Sequence, residues 1–465
     1  MNAVVADHIG MVRKYVVATL GDQLFKSFAF CIAAVIGQSV CGPAVSLELD
    51  DIPREIVSLR DDGTQIEYPA RSPSLGQQGL RIAFVSADPL IATDSNLLED
   101  VYVRDRKLET SILVSYGKEE PADRPSYEPS ISLDGDHVAY TSLATNLVCS
   151  GCDANARFDV YLFNFATKSN HRISQALTGE TDGRSHQPSI SRDGNRVAFT
   201  SLATNLIAND TNGKSDVFVW DRYKGISRVS FSTQGDQLPH NSHSPRISGD
   251  GRHVVFVTEA GFGNSHVLVR DLATGTTLRV SEESNLTQVG RNKEPSISEH
   301  GDMVAWVSNG YLGRGEKAYY RVFVRQMVTN THCLPIPACF VTNPYTFILN
   351  DEPGEQREPQ IYGSAGGWGP GLSNAAPAYG VVYTSTSDEG RRDVVLQNNA
   401  VFTTEDYILT ISGGAYGEDA NGDSQHPTAW GADNAIGWVV SFETNATNLI
   451  VDDNNVSDIV FAEYQ

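Results

Sequence analysis

The chain has 465 residues, 40% hydrophobic and 20% charged, which is enough apolar material for a large core and too much for a disordered tail. Lys and Arg number 35 against 57 Asp and Glu, a formal charge of −22. A surface this acidic repels phosphate backbones and argues against nucleic acid as a partner; it leaves simple solubility or a cation-binding role.

In chain order, the first expected element is an export signal. Arg13, Lys14 and Lys26 precede "FAFCIAAVIG", an apolar run of about ten residues, too short for a membrane span and right for a signal-peptide core. "AVS" at 44–46 offers small residues for cleavage, so 1–46 is read as the leader and 47–465 as the mature domain. Cys41 follows "IGQSV", which is no lipobox, so the expectation is release into the periplasm or beyond without an anchor. A buried helix is the alternative reading.

Seven copies of one paragraph follow, each aligned on a proline. They begin near 72 ("SPSLGQQGLRIAFVS"), 128 ("EPSISLDGDHVAYTS"), 187 ("QPSISRDGNRVAFTS"), 244 ("SPRISGDGRHVVFVT"), 294 ("EPSISEHGDMVAWVS"), 358 ("EPQIYGSAGG…AYGVVYTS") and 426 ("HPTAWGADNAIGWVVSF"). Each copy reads as four strands. "PSIS" is the first, with Pro at its opening. "DG" marks a tight hairpin, and "RVAFTS" is β-branched and aromatic. "DVFVWD" alternates with period two, and a segment ending "RVS" or "RIS" completes the set. Four-strand units at a period of about 57 residues predict an all-β, seven-bladed propeller of antiparallel blades. The last copy stops at "DIVFAEYQ" without a fourth strand, while "REIVSLRDDGTQ" at 54–65 repeats fourth-strand words and has no owner. Residues 56–59 are therefore expected to complete the last blade and close the ring, removing the exposed edges of an open array.

The pattern "PSISxDGxxVAFxS…DVFVxD…RVS" resembles the TolB-type (WD40-like) propeller repeat over essentially the whole mature segment. Repeats 2 and 3 match best, and repeat 6 departs by replacing the DG turn with "GSAGGWGPGLSNAAPAYG". The resemblance implies a scaffold or binding platform. Related propellers also accompany peptidase domains, and other propeller families are polysaccharide lyases. No G-x-S-x-G elbow points to a serine hydrolase.

Three groups of residues are candidates for function. The acidic loops before the third strand repeat D-x-N-x-x-x-D: Asp94, Asn96, Asp100; Asp153, Asn155, Asp159; Asp210, Asn212, Asp216; Asp452, Asn454, Asp458. Such oxygens suit calcium, although Asx turns that satisfy a long loop's own backbone explain the same residues. The pairs preceding each first-strand proline should converge on one mouth of the central channel. They include Arg71, Tyr127, Glu128, His186, His243, Lys293, Glu294, Arg357, Glu358 and His426. A solvated rim is the plain reading. A binding surface for a protein or glycan is the second. The third is a lyase in which His186, His243, His426 or Tyr127 acts as base and Arg357 neutralises a uronate. Finally, Cys149/Cys152 and Cys333/Cys339 form local pairs expected as loop-stapling disulfides, with free thiols as the alternative. Trp368, in the repeat 6 insertion, offers a stacking surface if exposed. The domain is expected to be monomeric, and calcium-steadied structure without another ligand is the remaining reading.

Overall fold

A computed structural model describes residues 31–33, 39–41, 53–76, 79–150, 152–281, 290–309, 320–327, 346–348, 355–364, 378–386, 390–399, 407–412, 420–431, 438–450 and 456–464. The chain divides into two units, 1–51 and 52–465. In the first, Cys31–Ala33 pairs antiparallel with Ser39–Cys41; the rest of the expected leader lies outside the described residues, as do Cys333, Cys339, Trp368, Asp452 and Asn454. No described helix is long and apolar enough to cross a membrane.

The second unit is a ring of seven four-stranded antiparallel blades. Blade 3 shows the plan: Ser185–Ile190, Arg196–Ser201, Asp216–Asp221 and Gly225–Arg228, paired in order from inside to outside. First strands touch the first strands of both neighbours around the whole circle, including blade 7 against blade 1. Both faces of each blade are apolar because both are covered. In blade 1, Ala83 and Val85 pack toward Tyr140 and Tyr161 of blade 2, whereas Ile82 and Phe84 pack toward Val439 and Phe461 of blade 7.

Each first strand starts slightly ahead of the boundary read from the repeats: at Ala70 for 72, Ser126 for 128, Ser185 for 187, Ser242 for 244, Asn292 for 294, Gln356 for 358 and Ser424 for 426. Proline therefore sits inside the strand, not at its opening. A β-bulge makes this tolerable, for the register with the second strand shifts across every proline. At each bulge the residue before proline is left-handed: Ser72, Glu128, Gln187, Ser244, Glu294, Glu358 and His426 have φ between 49° and 57°. Such a conformation costs a non-glycine residue about 1–3 kcal/mol and persists only where the surroundings hold it.

Hydrogen bonds between blades supply that hold. The bulged N–H of Gln187 donates to Glu128, that of Ser244 to Gln187, that of Glu358 to Glu294 and that of His426 to Glu358, always one blade back. Hydrogen bonds to charged acceptors contribute about 1.5–3 kcal/mol, enough to offset the backbone strain. Further down the channel, the serine of "PSIS" accepts the isoleucine N–H of the next blade: Ser74 from Ile131, Ser130 from Ile190, Ser189 from Ile247 and Ser296 from Ile361. The repeated word is thus an inter-blade fastening.

The orphan strand closes the ring. Arg54–Ile56 pairs antiparallel with the third strand of blade 7, Asp458–Tyr464. This ladder lies nearer the N-terminus than 56–59, and a Val57 N–H to Ile459 carbonyl bond of 2.8 Å extends it. Ser58 then donates to Asp458 at 2.6 Å and accepts the Ile459 N–H at 3.0 Å. Ser115, Ser174 and Ser230 play the same part toward Asp100, Asp159 and Asp216 in blades 1 to 3. The end of the ring therefore repeats an interior junction. Ser58→Ala should destabilise the domain by about 1–3 kcal/mol, matching Ser230→Ala, with both read as shifts in urea midpoint. An unchanged midpoint for Ser58→Ala alone would show that the closing strand carries no stability.

Candidate functional site

The two ends of the channel differ in chemistry. At the DG-turn end, Leu75, Ile131, Ile190, Ile247, Ile297 and Ile361 form an apolar collar. The turns above it lock to the next blade: Arg81 donates to the Gly135 carbonyl and Arg196 to that of Gly251. A Cβ on Gly194 or Gly301 would collide with His137 or His253 of the preceding blade, which is why glycine stands there.

The opposite mouth gathers the residues expected to converge. Between blades 1 and 3 lies a concavity of about 380 Å³ lined by Arg71, Tyr127, Glu128, Phe158, Arg184 and His186, among others. Tyr127 and Phe158 meet edge to face at 6.0 Å, and the Arg71 guanidinium lies 5.8 Å from the Tyr127 ring while pairing with Glu99. Burial, followed by the hydrogen bond to Glu99, pushes the Tyr127 phenol up to about 12. Burial lowers the His186 imidazole, and the positive field of Arg184 and His243 adds to this against the pull of Glu128. Neutral imidazole is therefore the resting form near pH 7. Arg184 is exposed and makes no ion pair among the described residues. His243 lies 3.2 Å from Glu259.

Across the mouth, charges are already matched. Arg357 lies 3.4 Å from Glu294 and 4.8 Å from the Tyr320 ring centroid, and Lys293 lies 3.8 Å from the same centroid. His426 is held between two carboxylates, with Nε2 3.0 Å from Glu358 and Nδ1 2.9 Å from Glu443. Burial works to lower this imidazole, but the bonds to Glu358 and Glu443 prevail and raise it to about 10. Glu443 also accepts the bulged N–H of Ser72, and Glu358 accepts the Thr384 hydroxyl. His426 thus joins blades 6, 7 and 1.

Sequence reasoning missed four contributors here. Phe158 and Arg184 line the pocket from connecting segments. Glu443 occupies the second-strand register filled by Thr141, Thr200 and Thr384 elsewhere, a break that an alignment of the repeats exposes. Arg246 replaces the serine of "PSIS" in blade 4, and burial lowers its guanidinium despite the nearby Glu128 charge. On the same face, blade 4 shortens its loop to a hairpin whose tip, Phe262, is fully exposed between Gly261 and Gly263.

The acidic loops are turned inward. In blade 2, Arg172 lies 3.0 Å from Asp153 and 3.6 Å from Asp159; in blade 3, Arg228 lies 2.6 Å from Asp210 and 3.6 Å from Asp216. Asn155 and Asn212 donate to Asp159 and Asp216 while capping their own turns. Burial raises Asp159 to about 6 and Asp100 to about 7. Among the described residues no three His, Cys, Asp or Glu side chains cluster as a metal site. Cys149 and Cys152 lie at disulfide distance, 5.3 Å between Cα atoms.

No family model matches the chain. A curated relative, Tol-Pal system protein TolB of Francisella tularensis subsp. tularensis (strain WY96-3418), is 25% identical over 227 residues, 41% of this chain and 47% of the relative. The chain thus spans about half the length of the curated relatives it matches. Among solved structures, TolB from Acinetobacter baumannii aligns with TM-score 0.34 at 19% identity, covering 56% of this chain and 52% of that one. The β-propeller domain of the Trilobed protease from Pyrococcus furiosus aligns with TM-score 0.49 at 9% identity, covering 86% and 98%.

The raised imidazole carries a pH dependence. Its folded pKa of about 10 exceeds the unfolded value, about 6.5. The stabilisation is therefore complete below about 6.5 and is lost as pH rises through about 10. Urea midpoints at pH 6 and pH 10 should differ more for the natural protein than for His426→Gln. Equal differences would mean that the clamp does not hold in solution.

Proposed function

We propose that this chain, a TolB-like β-propeller, is a binding module that presents its channel-mouth face to a protein partner. The pocket of blades 1 to 3 carries this reading. It combines two aromatic rings, a neutral imidazole and the unpaired guanidinium of Arg184 in a concavity on an otherwise acidic molecule. Aromatic and arginine side chains that lose water when a partner docks are the usual anchors of protein recognition. The cation selects an anionic group on the partner, a carboxylate side chain or a chain terminus, and the rings accept an adjoining apolar or planar group. Phe262 on the same face adds apolar contact at the rim. The collar end also holds a recess, of about 200 Å³, but its cation Arg192 is already paired with Glu299 at 2.9 Å.

The expected export signal would put this partner in the periplasm or beyond. The relatives are named for the Tol-Pal system, and a protein assembly of that compartment is the corresponding expectation here. A second reading, polysaccharide lyase chemistry, is favoured by one observation: His186 is held neutral beside Tyr127 and Arg184, as a base near a carboxylate-binding cation would be.

A photo-crosslinking residue at Tyr127 or Arg184, in the source cells, should trap a discrete protein adduct that the same residue at Asp134, on the turn face, does not. With the trapped protein in hand, Arg184→Ala should weaken binding by about 2 kcal/mol in titration calorimetry. Equal trapping from both faces, or from neither, would overturn the binding reading. An absorbance rise from an unsaturated uronate on a polysaccharide panel, abolished by His186→Ala, would put the lyase in its place.

A further inference from the structure

Blades 1, 2 and 3 write the same acidic loop ahead of the third strand, and each sets one fourth-strand residue against it. Across the ladder, Arg172 stands opposite Tyr161 in blade 2 and Arg228 opposite Phe218 in blade 3. In blade 1 the same register, opposite Tyr102, holds Leu113. The two arginines neutralise the buried carboxylate pairs from within their own blades. A carboxylate pair withdrawn from water needs such a counter-charge.

Blade 1 keeps the carboxylates and lacks the cation. Asp100 is fully buried and Asp94 is 6% exposed. The Tyr102 hydroxyl donates to Asp94 as that of Tyr161 does to Asp153, so the two loops are built alike. Ser115 donates to Asp100 Oδ1. The second oxygen, Oδ2, is buried and has no hydrogen bond. The asparagine amides of Asn155 and Asn212 reach the matching oxygen in blades 2 and 3 at 2.8 and 3.0 Å; in blade 1 the Asn96 amide donates to the Ala122 carbonyl, and its pull on the Asp100 carboxyl is weaker than that of Ser115. Among the described residues no Lys, Arg or His pairs with Asp94 or Asp100.

We propose that blade 1 binds a hard divalent cation of the calcium class between Asp94 and Asp100, at the position the guanidinium occupies in blades 2 and 3. Two carboxylates match the charge of such an ion, and the donors facing it are oxygens, which favours calcium over a thiolate- or imidazole-preferring metal. The site goes beyond the mouth-face binding reading and does not depend on it.

The test uses the full chain, stripped with EDTA and melted with and without calcium chloride at constant ionic strength. The natural protein should melt several degrees higher with calcium, and calorimetry should count a bound ion. Leu113→Arg, which supplies the guanidinium of the neighbouring blades, should melt high in EDTA and lose the calcium response; Leu113→Met should keep it. If Leu113→Arg does not fold, Asp100→Asn serves instead, and it should lose the response too. A natural protein whose melt ignores calcium would show that a proton neutralises the pair, overturning the proposal. A calcium response that survives in Leu113→Arg, or in Asp100→Asn, would place the ion elsewhere and overturn it equally.

Discussion

The ring depends on a strand borrowed across almost the whole chain. Blade 7 has three strands of its own, and Arg54–Ile56 supplies the fourth. Ser58 and Asp458, 400 residues apart in sequence, then reproduce a hydroxyl–carboxylate bond that is local elsewhere. Without this junction blade 7 would present an open β-edge, and the fastening of each blade to the one before it would have a free end. Closure also fixes the distance between mouth residues on opposite sides, because every first strand is held from both neighbours.

That constraint explains why the mouth mixes structural and available groups. Glu128, Glu294 and Glu358 look like a ring of free acids, yet each accepts a backbone N–H from the next blade. The bulge creates the need, since a left-handed residue before proline turns its N–H out of its own ladder. Once these acceptors are committed, what is left over is uneven. Blades 5 to 7 pair their cations with acids, whereas blades 1 to 3 leave Arg184, His186 and two rings around a recess. The proposed recognition rests on this asymmetry and not on the sevenfold repeat.

Much of the fold was legible because propeller blades repeat words. The proline register, the DG turns and the alternation of "DVFVWD" determined the number and order of strands, and "REIVS" declared its role by matching "RVS" and "RIS". The bulge was not legible. Its position is filled by Ser, Glu, Gln and His, whose only common property is backbone conformation, and a residue before proline ordinarily avoids that conformation. Variety at this position was read as a sign of a site, whereas part of it is the fastening itself. The convergence of Arg71, Tyr127, Glu128 and His186 was foreseen from geometry, but Phe158 and Arg184 sit in connections whose path no periodicity sets. In the acidic loops the aspartates were plain and their partners hidden, because Arg172 and Arg228, the arginines of "RIS" and "RVS", read as strand words with no sign of which side chains they face. The contrast with Leu113, which opens "LVS" where the others open "RIS" and "RVS", gains its meaning once the ladders are known.

Amide hydrogen exchange at the junction of the chain's two ends tests the closed ring most directly. The N–H groups of Val57 and Ile459 bond across that junction, as those of Val229 and Val217 do inside blade 3. A sealed ring predicts comparable protection for the two pairs under native conditions. Rapid exchange at Val57 and Ile459, with slow exchange at Val217 and Val229, would mean that the last blade stands open and that the account built on closure is wrong.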